Sequence, residues 1–347
     1  LENKVISMLN NGEKVLGFDE FIKVKINQFY GIEINDFAVT VAKTALWIAE
    51  SQMMRETEML MGVDLEFFPL TTNAFIVEGN ALRMDWATLK PIDESEEIND
   101  GLFAGFDAKV DGNRIDYDYI IGNPPFVGYS LQSKAQKDDI LSIYVDEKGK
   151  PYKTAGKIDY VSAWYFKAAQ LMVGTNIRTA FVSTNSITQG EQVAGVWKPL
   201  YDRFGIHIDF AHRTFRWDSE ASLKAHVHCV IVGFSVAENT ADKRLYDNGI
   251  EKAVKNINAY LVEAPNVFIE SRSTPICDVP KMTTGNRPAD GGHLIIEADD
   301  YDDFVKREPN AVKYIKKLTG AAEYINNKDR YCLWLVGVSP AELRKMP

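Results

Sequence analysis

Short apolar runs alternate along the chain with stretches in which apolar residues recur at helical spacing. The apolar runs predict β-strands at residues 28–34, 74–78, 117–122, 177–184, 206–211 and 226–235. Residues 36–57 are predicted to form an amphipathic helix with Asn35 or Asp36 as its N-cap, and residues 159–173 a second helix rich in aromatic side chains. Strands that alternate with helices predict an α/β domain whose mostly parallel sheet is covered on both faces.

Two long polar segments interrupt this alternation. Residues 87–116 are acidic and rich in Gly and Asp, which predicts a loop. Residues 128–158 are polar and rich in Lys, and Gly149, Pro151 and Gly156 would break regular structure there. We interpret both segments as insertions, and we expect the second one to be mobile.

The pattern changes near residue 265, where prolines and glycines become frequent. After that point only a helical stretch at 300–318 and an apolar run at 331–336 stand out. We therefore predict two domains, 1–264 and 265–347, the second being an irregular α+β region. Because the last residues stop without a recognisable end, we expect this second domain to be incomplete.

Composition and charge narrow the class of protein. Of the 347 residues, 46% are hydrophobic and 25% are charged, which is typical of a soluble globular protein. No apolar run reaches the roughly 18 residues of a membrane span, and no basic leader is evident, so we expect no membrane partner. The net charge of −10 argues against nonspecific nucleic-acid binding but is compatible with a local basic face.

Cysteine and histidine positions favour neither a disulfide framework nor a metal site. Cys229, Cys277 and Cys332 are widely spaced, which is typical of a protein in the reducing cytoplasm. His226 and His228 would share one face of a strand, but two imidazoles without a partner pair do not complete a four-ligand zinc site. We therefore expect a cytoplasmic protein without a bound metal.

The most informative segment for chemistry is Asn123-Pro124-Pro125-Phe126, which directly follows the predicted strand 117–122. Ligands bind at the carboxyl ends of strands in open α/β sheets. The prolines remove two backbone donors, so the Asn123 side-chain oxygen and the Pro124 carbonyl remain as acceptors in a rigid turn. Two acceptors that hold the hydrogens of an adenine N6 amine would free its lone pair to attack a methyl group, while Phe126 stacks on the base. Such a base must first be flipped out of a duplex.

Two other predicted strand ends also have polar residues. Glu33, before Ile34 in Gly-Ile-Glu-Ile-Asn, could accept hydrogen bonds from two ribose hydroxyls at the end of the first strand. Asn80 and Ala81 follow the second strand in Glu-Gly-Asn-Ala-Leu. Taken singly, these residues fit simpler interpretations: Glu33 as a helix-capping acid, Asn80 as a turn residue and Asn123 as part of a rigid turn.

In this order the segments resemble the motifs of amino-methyltransferases that use S-adenosylmethionine. The Asn-Pro-Pro-Phe segment resembles motif IV, the segment around Glu33 motif II, and the segment around Asn80 motif III. The resemblance implies that Asn80 contacts the amino group of the cofactor adenine and that the Ala81 N–H contacts its ring. Many relatives have Asp in place of Asn80, which implies a weaker or different contact here.

The segment Phe-Ala-His-Arg-Thr-Phe-Arg-Trp at 210–217 resembles the region of motif VIII. The resemblance implies that Phe215 or Trp217 supports the flipped base, and both residues stay candidates. Arg213 and Arg216 could hold phosphate groups. The alternative is an ordinary loop whose aromatic residues cover the core.

The order of these motifs, followed by an irregular C-terminal domain, resembles the γ arrangement of DNA adenine-N6 methyltransferases. More narrowly, the sequences at 80–86, 121–128 and 330–335 resemble those of type IIG and IIL restriction–modification or phage-defence enzymes, and the resemblance covers nearly the whole chain. It implies a Rossmann-like class I methyltransferase domain, a target recognition domain and double-stranded DNA as the substrate. It also leaves room for a nuclease domain upstream in the same full-length chain.

One departure from the family pattern concerns the cofactor. These enzymes have a Gly-rich motif I after their first strand, whereas residues 1–27 contain only Gly12 and Gly17. Residues 1–10 are predicted to form the helix that follows motif I in the family. We therefore expect the first strand of the domain to be missing and the chain on its own to bind S-adenosylmethionine poorly and to be inactive.

Other functions stay open at this point. Methylation of a protein glutamine amide or of an RNA base also uses Asn-Pro-Pro-aromatic, and N4-cytosine methylation activates an amine in the same way. The C-terminal domain and the segment 128–158 favour DNA as the substrate. A third interpretation is an inactive DNA-binding fragment.

Overall fold

The computed structural model describes residues 23–61, 74–91, 114–217, 227–237, 241–280 and 290–346. The chain forms two units, Leu1–Ser271 and Arg272–Pro347. The predicted helix at 1–10, residues 92–113 of the acidic segment, and His226 lie outside the described residues. In the described part of the chain, no helix combines the length and apolar composition that crossing a membrane requires.

The first unit contains strands and helices that follow one another as an α/β pattern. Its described strands are β1 (Tyr30–Glu33), β2 (Phe75–Glu78), β3 (Met84–Asp85), β4 (Lys90–Pro91), β5 (Tyr119–Gly122), β6 (Arg178–Thr184), β7 (His207–Trp217), β8 (Val227–Ser235), β9 (Lys243–Asp247) and β10 (Ile250–Val254). Its described α-helices are α1 (Asp36–Met61), α2 (Lys134–Ile143), α3 (Ser162–Met172) and α4 (Gly190–Phe204). The α/β class predicted from the alternating pattern is confirmed.

The main sheet is mixed rather than mostly parallel, so that part of the prediction was wrong. Its strand order is β10-β9-β7-β8-β6-β5. β5 pairs with β6 and β7 with β9 in parallel, whereas β8 is antiparallel to both of its neighbours. The cause is the connection from β7 to β8, which spans only residues 218–226. Parallel pairing needs a crossover of about a dozen residues or more, so a shorter link returns the chain antiparallel.

The last two strands of this sheet form a hairpin that the apolar pattern did not predict. β9 and β10 pair antiparallel around Asn248 and Gly249, whose φ angles are +49° and +80°. Two consecutive positive φ angles are typical of the tight hairpin turn for which Asn-Gly is the preferred sequence. The turn residues were therefore a sequence signal for these strands.

β1 and β2 form a separate parallel pair that is covered by α1. Ile26, Ala74 and Ile76 are buried between the pair and apolar side chains of the helix. At the start of α1, the Asn35 Oδ1 accepts a hydrogen bond from the Ala38 N–H at 2.8 Å. The predicted N-cap at Asn35 is confirmed, because a side-chain oxygen before the first turn satisfies one of its free N–H groups.

The core of the first unit consists largely of aromatic rings between the main sheet and its helices. The Tyr165 ring lies 5.2 Å from Phe181, 5.3 Å from Trp197 and 5.3 Å from Phe234, measured between ring centroids. The Trp197 Nε1–H donates to the Ile187 carbonyl at 2.8 Å, so its polar atom is satisfied inside the core. Burying each such side chain stabilises the fold by roughly 1.5–3 kcal/mol.

Residues 128–158 are ordered, so the prediction of a mobile segment was wrong. They contain α2, whose Ile140 and Ile143 are buried together with Tyr144. Ser133 and Gln136 form a capping box in which each side chain accepts from the backbone N–H of the other residue. This box starts the helix, and the spacing of the three apolar residues turns them to the core.

The second unit contains a three-stranded antiparallel sheet in the order β11-β13-β12. Its described elements are β11 (Ile295–Glu297), α5 (Tyr301–Arg307), β12 (Ile315–Lys317), α6 (Ala321–Asn326), β13 (Arg330–Leu333) and α7 (Pro340–Leu343). The predicted helix at 300–318 was only partly correct. Helix α5 ends before Pro309, because the residue that precedes a proline is disfavoured in the helical region.

Candidate functional site

Residues 123–126, called here the Asn123 turn, leave the sheet at the carboxyl end of β5. Asn123 is exposed, Pro124 is buried and Phe126 is half-buried. Directly before the turn, a Cβ added to Gly122 would lie 3.3 Å from the Phe181 ring, so the strand end is closely packed. The buried proline anchors the turn, while the Asn123 side chain extends from it into solvent.

Hydrogen bonds hold the residues that follow the Asn123 turn. The Tyr160 N–H donates to the Val127 carbonyl at 2.9 Å, and the Tyr129 N–H donates to Asp159 Oδ1 at 3.0 Å. Asp159 is buried and also accepts from the Ser186 hydroxyl, which follows β6. The residues after the turn are therefore hydrogen-bonded to the segment that contains Asp159 and Tyr160, and through Asp159 to the segment that follows β6.

The ends of β1 and β2 lie side by side. Glu33 pairs with Glu78 in the parallel register, and the Gly79 N–H donates to the Glu33 carbonyl at 2.8 Å. The Glu33 and Ile34 side chains are both exposed. Two predicted site segments that are more than forty positions apart in the sequence therefore meet at one point.

Residues 79–86, called here the Asn80 loop, begin with a single 3-10 turn over Ala81–Arg83. The Asn80 side chain caps this turn, its Oδ1 accepting from the Leu82 N–H at 2.9 Å. Ala81 is the first residue of the turn, so its N–H has no acceptor within it. The Oδ1 atom keeps a second lone pair, so the cap leaves it able to accept another hydrogen bond.

A buried lysine donates hydrogen bonds to the backbone of the Asn80 loop. The Lys167 ammonium on α3 donates to the carbonyls of Leu82, at 3.0 Å, and of Met84. It also lies 5.7 Å from the centre of the Trp86 ring, and the Trp86 Nε1–H donates to the Ala81 carbonyl at 2.8 Å. Burial lowers the pKa of Lys167 to about 8, because the charged form loses its hydration.

A buried carboxylate on α2 joins the Asn80 loop to the rest of the unit. Asp139 Oδ2 accepts from the Asn80 Nδ2 at 3.1 Å and from the Tyr160 hydroxyl at 2.9 Å, and its Oδ1 accepts from the Arg83 Nε at 2.7 Å. These four residues are called here the Asp139 cluster. Burial, and then the hydrogen bond to Asp139, raise the pKa of Tyr160.

The segment 213–217 lies at the same edge of the sheet as the Asn123 turn. β5, β6 and β7 point in one direction, because β5 is parallel to β6 and both β6 and β7 are antiparallel to β8. Phe215 pairs with Cys229, which pairs with Thr184 at the end of β6. Gly122 at the end of β5 pairs with Phe181 of the same β6 strand. Both segments therefore lie at the carboxyl edge of the sheet, three strand spacings apart, which is roughly 14 Å measured across the strands.

A register shift changes the course of β7 between His212 and Phe215. After it, Phe215 is half-buried and Trp217 is exposed, with their ring centroids 6.3 Å apart. Residues two apart on a strand share a face, so Arg216 lies on the opposite face. Arg213, at the shift, forms an ion pair with Asp247 at 2.6 Å. Both arginines therefore lie at the same edge of the sheet, Arg213 at the register shift and Arg216 after it.

A cavity of about 350 Å³ opens beside the register shift. It is lined by Thr188, Gln189 and Gly190 after β6, by Arg213 and Thr214 of β7, and by Tyr260 and Leu261. This lining is largely polar, which suits a charged or hydrogen-bonding ligand better than an apolar one.

The motif pattern does not point to Asp139, Tyr160 or Lys167, although the first and the last of these had a sequence signal. The capping box that begins at Ser133 predicts a helix containing Asp139. Lys167 is a single charge in an aromatic and alanine-rich helix, where a long charged side chain needs a specific partner. The contacts themselves depend on segments far apart in the sequence.

The amino-acid sequence matches known protein families over most of the chain. Residues 1–247 match the family described as MmeI, DNA-methyltransferase domain, and residues 263–347 match MmeI, target recognition domain. Fold and motifs therefore define a DNA-methyltransferase domain followed by a target recognition domain. The chain belongs to the MmeI DNA-methyltransferase family, which confirms the resemblance inferred from the motif order.

Two relatives extend this assignment. The chain is 38% identical over 349 residues to DNA methyltransferase A of Bacillus subtilis (strain 168), covering 100% of this chain and 37% of that protein. It superimposes with a TM-score of 0.79 and 37% identity on the solved structure of the type IIL restriction–modification enzyme MmeI in complex with DNA, covering 100% of this chain and 43% of that one. The chain thus spans less than half the length of these relatives.

Proposed function

We propose that the protein containing this chain is a site-specific DNA methyltransferase that modifies the N6 amine of a flipped-out adenine. The observation that supports this most directly is the exposed Asn123 beside buried Pro124 at the carboxyl edge of the sheet, in a chain of the MmeI family. The adjoining target recognition family supports DNA as the substrate. A restriction–modification role in the cytoplasm, with a nuclease domain upstream in the full-length protein, belongs to the same proposal.

The reaction requires that a conjugated amine become a nucleophile. The Asn123 Oδ1 and the Pro124 carbonyl accept the two amine hydrogens, which favours a tetrahedral nitrogen with a free lone pair. Pro125 keeps the turn rigid, and Phe126 stacks on the base. Acceptors that are positioned in advance stabilise the developing charge without reorganisation, and removing one such group costs roughly 100- to 1,000-fold in rate.

The residues at the ends of β1 and β2 suit the adenosine part of S-adenosylmethionine, which supplies the methyl group when it is bound. The exposed Glu33 carboxylate would accept from both ribose hydroxyls, beside the exposed Ile34. The second lone pair of Asn80 Oδ1 and the Ala81 N–H would contact the adenine edge. Among the described residues, these groups would contact only the adenosine part, and we expect the 347-residue chain by itself to bind the cofactor weakly and to be inactive.

The segment 213–217 would contact DNA beside the target base. Phe215 and Trp217 share one face of β7, so either ring, or both, would support the extruded base. Arg213 at the cavity and Arg216 on the other face would contact backbone phosphates, which position a protein without specifying sequence. We assign catalysis to residues 1–264 and target recognition to residues from 265 onward.

The proposal is tested in the natural protein that contains these residues, expressed in a host without other adenine methylation. Single-molecule sequencing of the host DNA should detect N6-methyladenine at one recognition sequence. Asn123→Ala should abolish the signal or reduce it at least 100-fold. Asn176→Ala is the matched control, because Asn176 is an exposed loop residue of the same type.

Three outcomes would contradict the proposal. Full methylation in Asn123→Ala would remove the assigned role of the turn. Detection of N4-methylcytosine in place of N6-methyladenine would show that the target base is cytosine and not adenine. Unmodified DNA together with methylated RNA or protein would move the substrate to another class.

A further inference from the structure

Asp139 is a buried carboxylate at the candidate site, and both of its oxygens accept hydrogen bonds from side chains. Its side chain is 6% exposed and accepts three hydrogen bonds, from the Asn80 amide, the Arg83 guanidinium and the Tyr160 hydroxyl. A carboxylate in such a place is costly unless its partners satisfy it, and the partners are in turn fixed by it. Its neighbour Asp138 on the same helix is exposed, so the two acids provide a direct comparison.

The carboxylate determines which way the Asn80 amide faces. An ionised carboxylate only accepts hydrogen bonds, so the Asn80 NH₂ group must point to Asp139. The opposite atom, Oδ1, must then point to the Leu82 N–H and to the open side of the Asn80 loop. Without Asp139 the amide could rotate by half a turn and present a donor where an acceptor is needed.

The same carboxylate connects the Asn80 loop to the Asn123 turn. The Tyr160 hydroxyl donates to Asp139, and the Tyr160 backbone N–H donates to the Val127 carbonyl, one residue after the turn. One residue therefore bonds to the Asp139 cluster through its side chain and to the turn segment through its backbone. Displacement of the carboxylate would affect the orientation of both.

We propose that Asp139 is a positioning residue that holds the Asn80 amide in its acceptor orientation and aligns the Asn80 loop with the Asn123 turn. This inference rests on the proposed function, because it assigns the Asn80 loop to the cofactor adenine. Asp139 itself touches neither substrate nor cofactor. It acts on them through Asn80 and, more distantly, through Tyr160.

The test uses Asp139→Asn in the natural protein that contains this chain. The variant keeps the size of the side chain but places a donor either against Arg83 or against both Asn80 and Tyr160, so the donors on that side lose their acceptor. The dissociation constant for S-adenosylhomocysteine, measured by calorimetry, should rise roughly tenfold or more. Turnover at saturating cofactor should also fall, but by a smaller factor than binding does, because Asp139 reaches the Asn123 turn only through Tyr160. The KM for DNA should change less than about threefold, whereas Asp138→Asn should leave all three values unchanged.

Two further measurements separate positioning from general damage to the fold. In an Asn80→Ala background, adding Asp139→Asn should raise the dissociation constant less than about twofold, because the amide that it orients is gone. Hydrogen exchange of the cofactor-free protein should show faster exchange at the Leu82 amide in Asp139→Asn than in the parent. If Asp139→Asn does not fold, Tyr160→Phe removes one donor from the same carboxylate and should weaken binding roughly two- to tenfold.

The outcomes are distinguishable. A parent protein that binds no S-adenosylhomocysteine contradicts the proposed function, while the exchange experiment still tests the role of Asp139. A parent that binds normally, with an unchanged dissociation constant in Asp139→Asn, overturns the positioning role. Additive effects of the Asn80 and Asp139 substitutions also overturn it, because they would show that Asp139 acts independently of the amide.

Discussion

Replacing Lys167 with Met should change how the stability of the first unit depends on pH. Lys167 is 9% exposed and its ammonium group donates to two backbone carbonyls of the Asn80 loop. Burial lowers its pKa from 10.5 to about 8. Met has a similar length but no charge, so it removes the titrating group and leaves the apolar stem of the side chain in place.

The size and sign of the effect follow from the two pKa values. Between pH 8 and pH 10.5 the unfolded chain holds the lysine proton more tightly than the folded one, so unfolding takes up a proton. The free energy of unfolding should therefore rise with pH across this window. Burial of the charged lysine lowers the free energy of unfolding, and this destabilisation is fully present below pH 8. From pH 7.0 to 9.5 the parent should gain about 2 kcal/mol relative to Lys167→Met.

The assay is urea denaturation at several pH values, followed by tryptophan fluorescence. Five of the six tryptophans, all except Trp334, precede residue 271, so the signal reports mainly on the first unit. Lys137→Met is the matched control, because Lys137 is exposed on α2. Buried tyrosines also titrate at high pH, but they are the same in every variant and cancel in the difference.

The reasoning would be refuted by equal pH dependence in the parent and in Lys167→Met. It would also be refuted if the parent lost stability relative to the variant between pH 7.0 and 9.5. That sign would mean that the folded protein binds the lysine proton more tightly than the unfolded chain does, as at a site with a strong anionic partner.

Three further substitutions test other parts of the structure. Trp197→Ala should lower the free energy of unfolding by about 3–5 kcal/mol, since the ring is fully buried and donates to the Ile187 carbonyl; denaturant titration measures this. Gly205→Ala should cost about 1 kcal/mol because its φ is +63° at the end of α4, whereas Gly156→Ala, which meets open space, should cost less in parallel thermal melts. Arg213→Ala should lower the slope of the logarithm of the DNA-binding constant against the logarithm of salt concentration by about one, because one counterion fewer is released. Fluorescence anisotropy at several salt concentrations measures this slope, and an unchanged slope would contradict a phosphate contact by Arg213.

Much of the fold was predictable because the signals were local. Strand β5, for example, is an apolar run that ends at Gly122 before two prolines, and the first helix begins after Asn35 as its sequence indicates. The direction of β8 was not predicted by its apolar pattern, which is the same for parallel and antiparallel strands. The length of its connection to β7 decided the direction instead.

The candidate site shows the same division. Glu33 lies near the end of a predicted strand, and Asn80 and Asn123 each come after one, so their positions at strand ends could be inferred from the sequence. Asp139 could not be, because its segment is polar and rich in lysine, a composition that is typical of exposed loops. Its burial arises from helix α2 packing against the core and from three donors in other segments.

The sequence by itself determined where β2 and β5 end and which polar residues follow them, because strand ends and turns depend on neighbouring residues. It did not determine the end of β7, which was predicted at residue 211 and lies at Trp217. Only the tertiary structure decided which of these ends are adjacent. Glu33 meets Gly79, and the ends of β5 and β7 share one sheet edge. The tertiary structure also decided that Asp139, which lies in a segment without a motif, accepts hydrogen bonds from Asn80 and Tyr160. Pairing between distant segments depends on packing and on satisfying buried polar groups, neither of which local periodicity specifies.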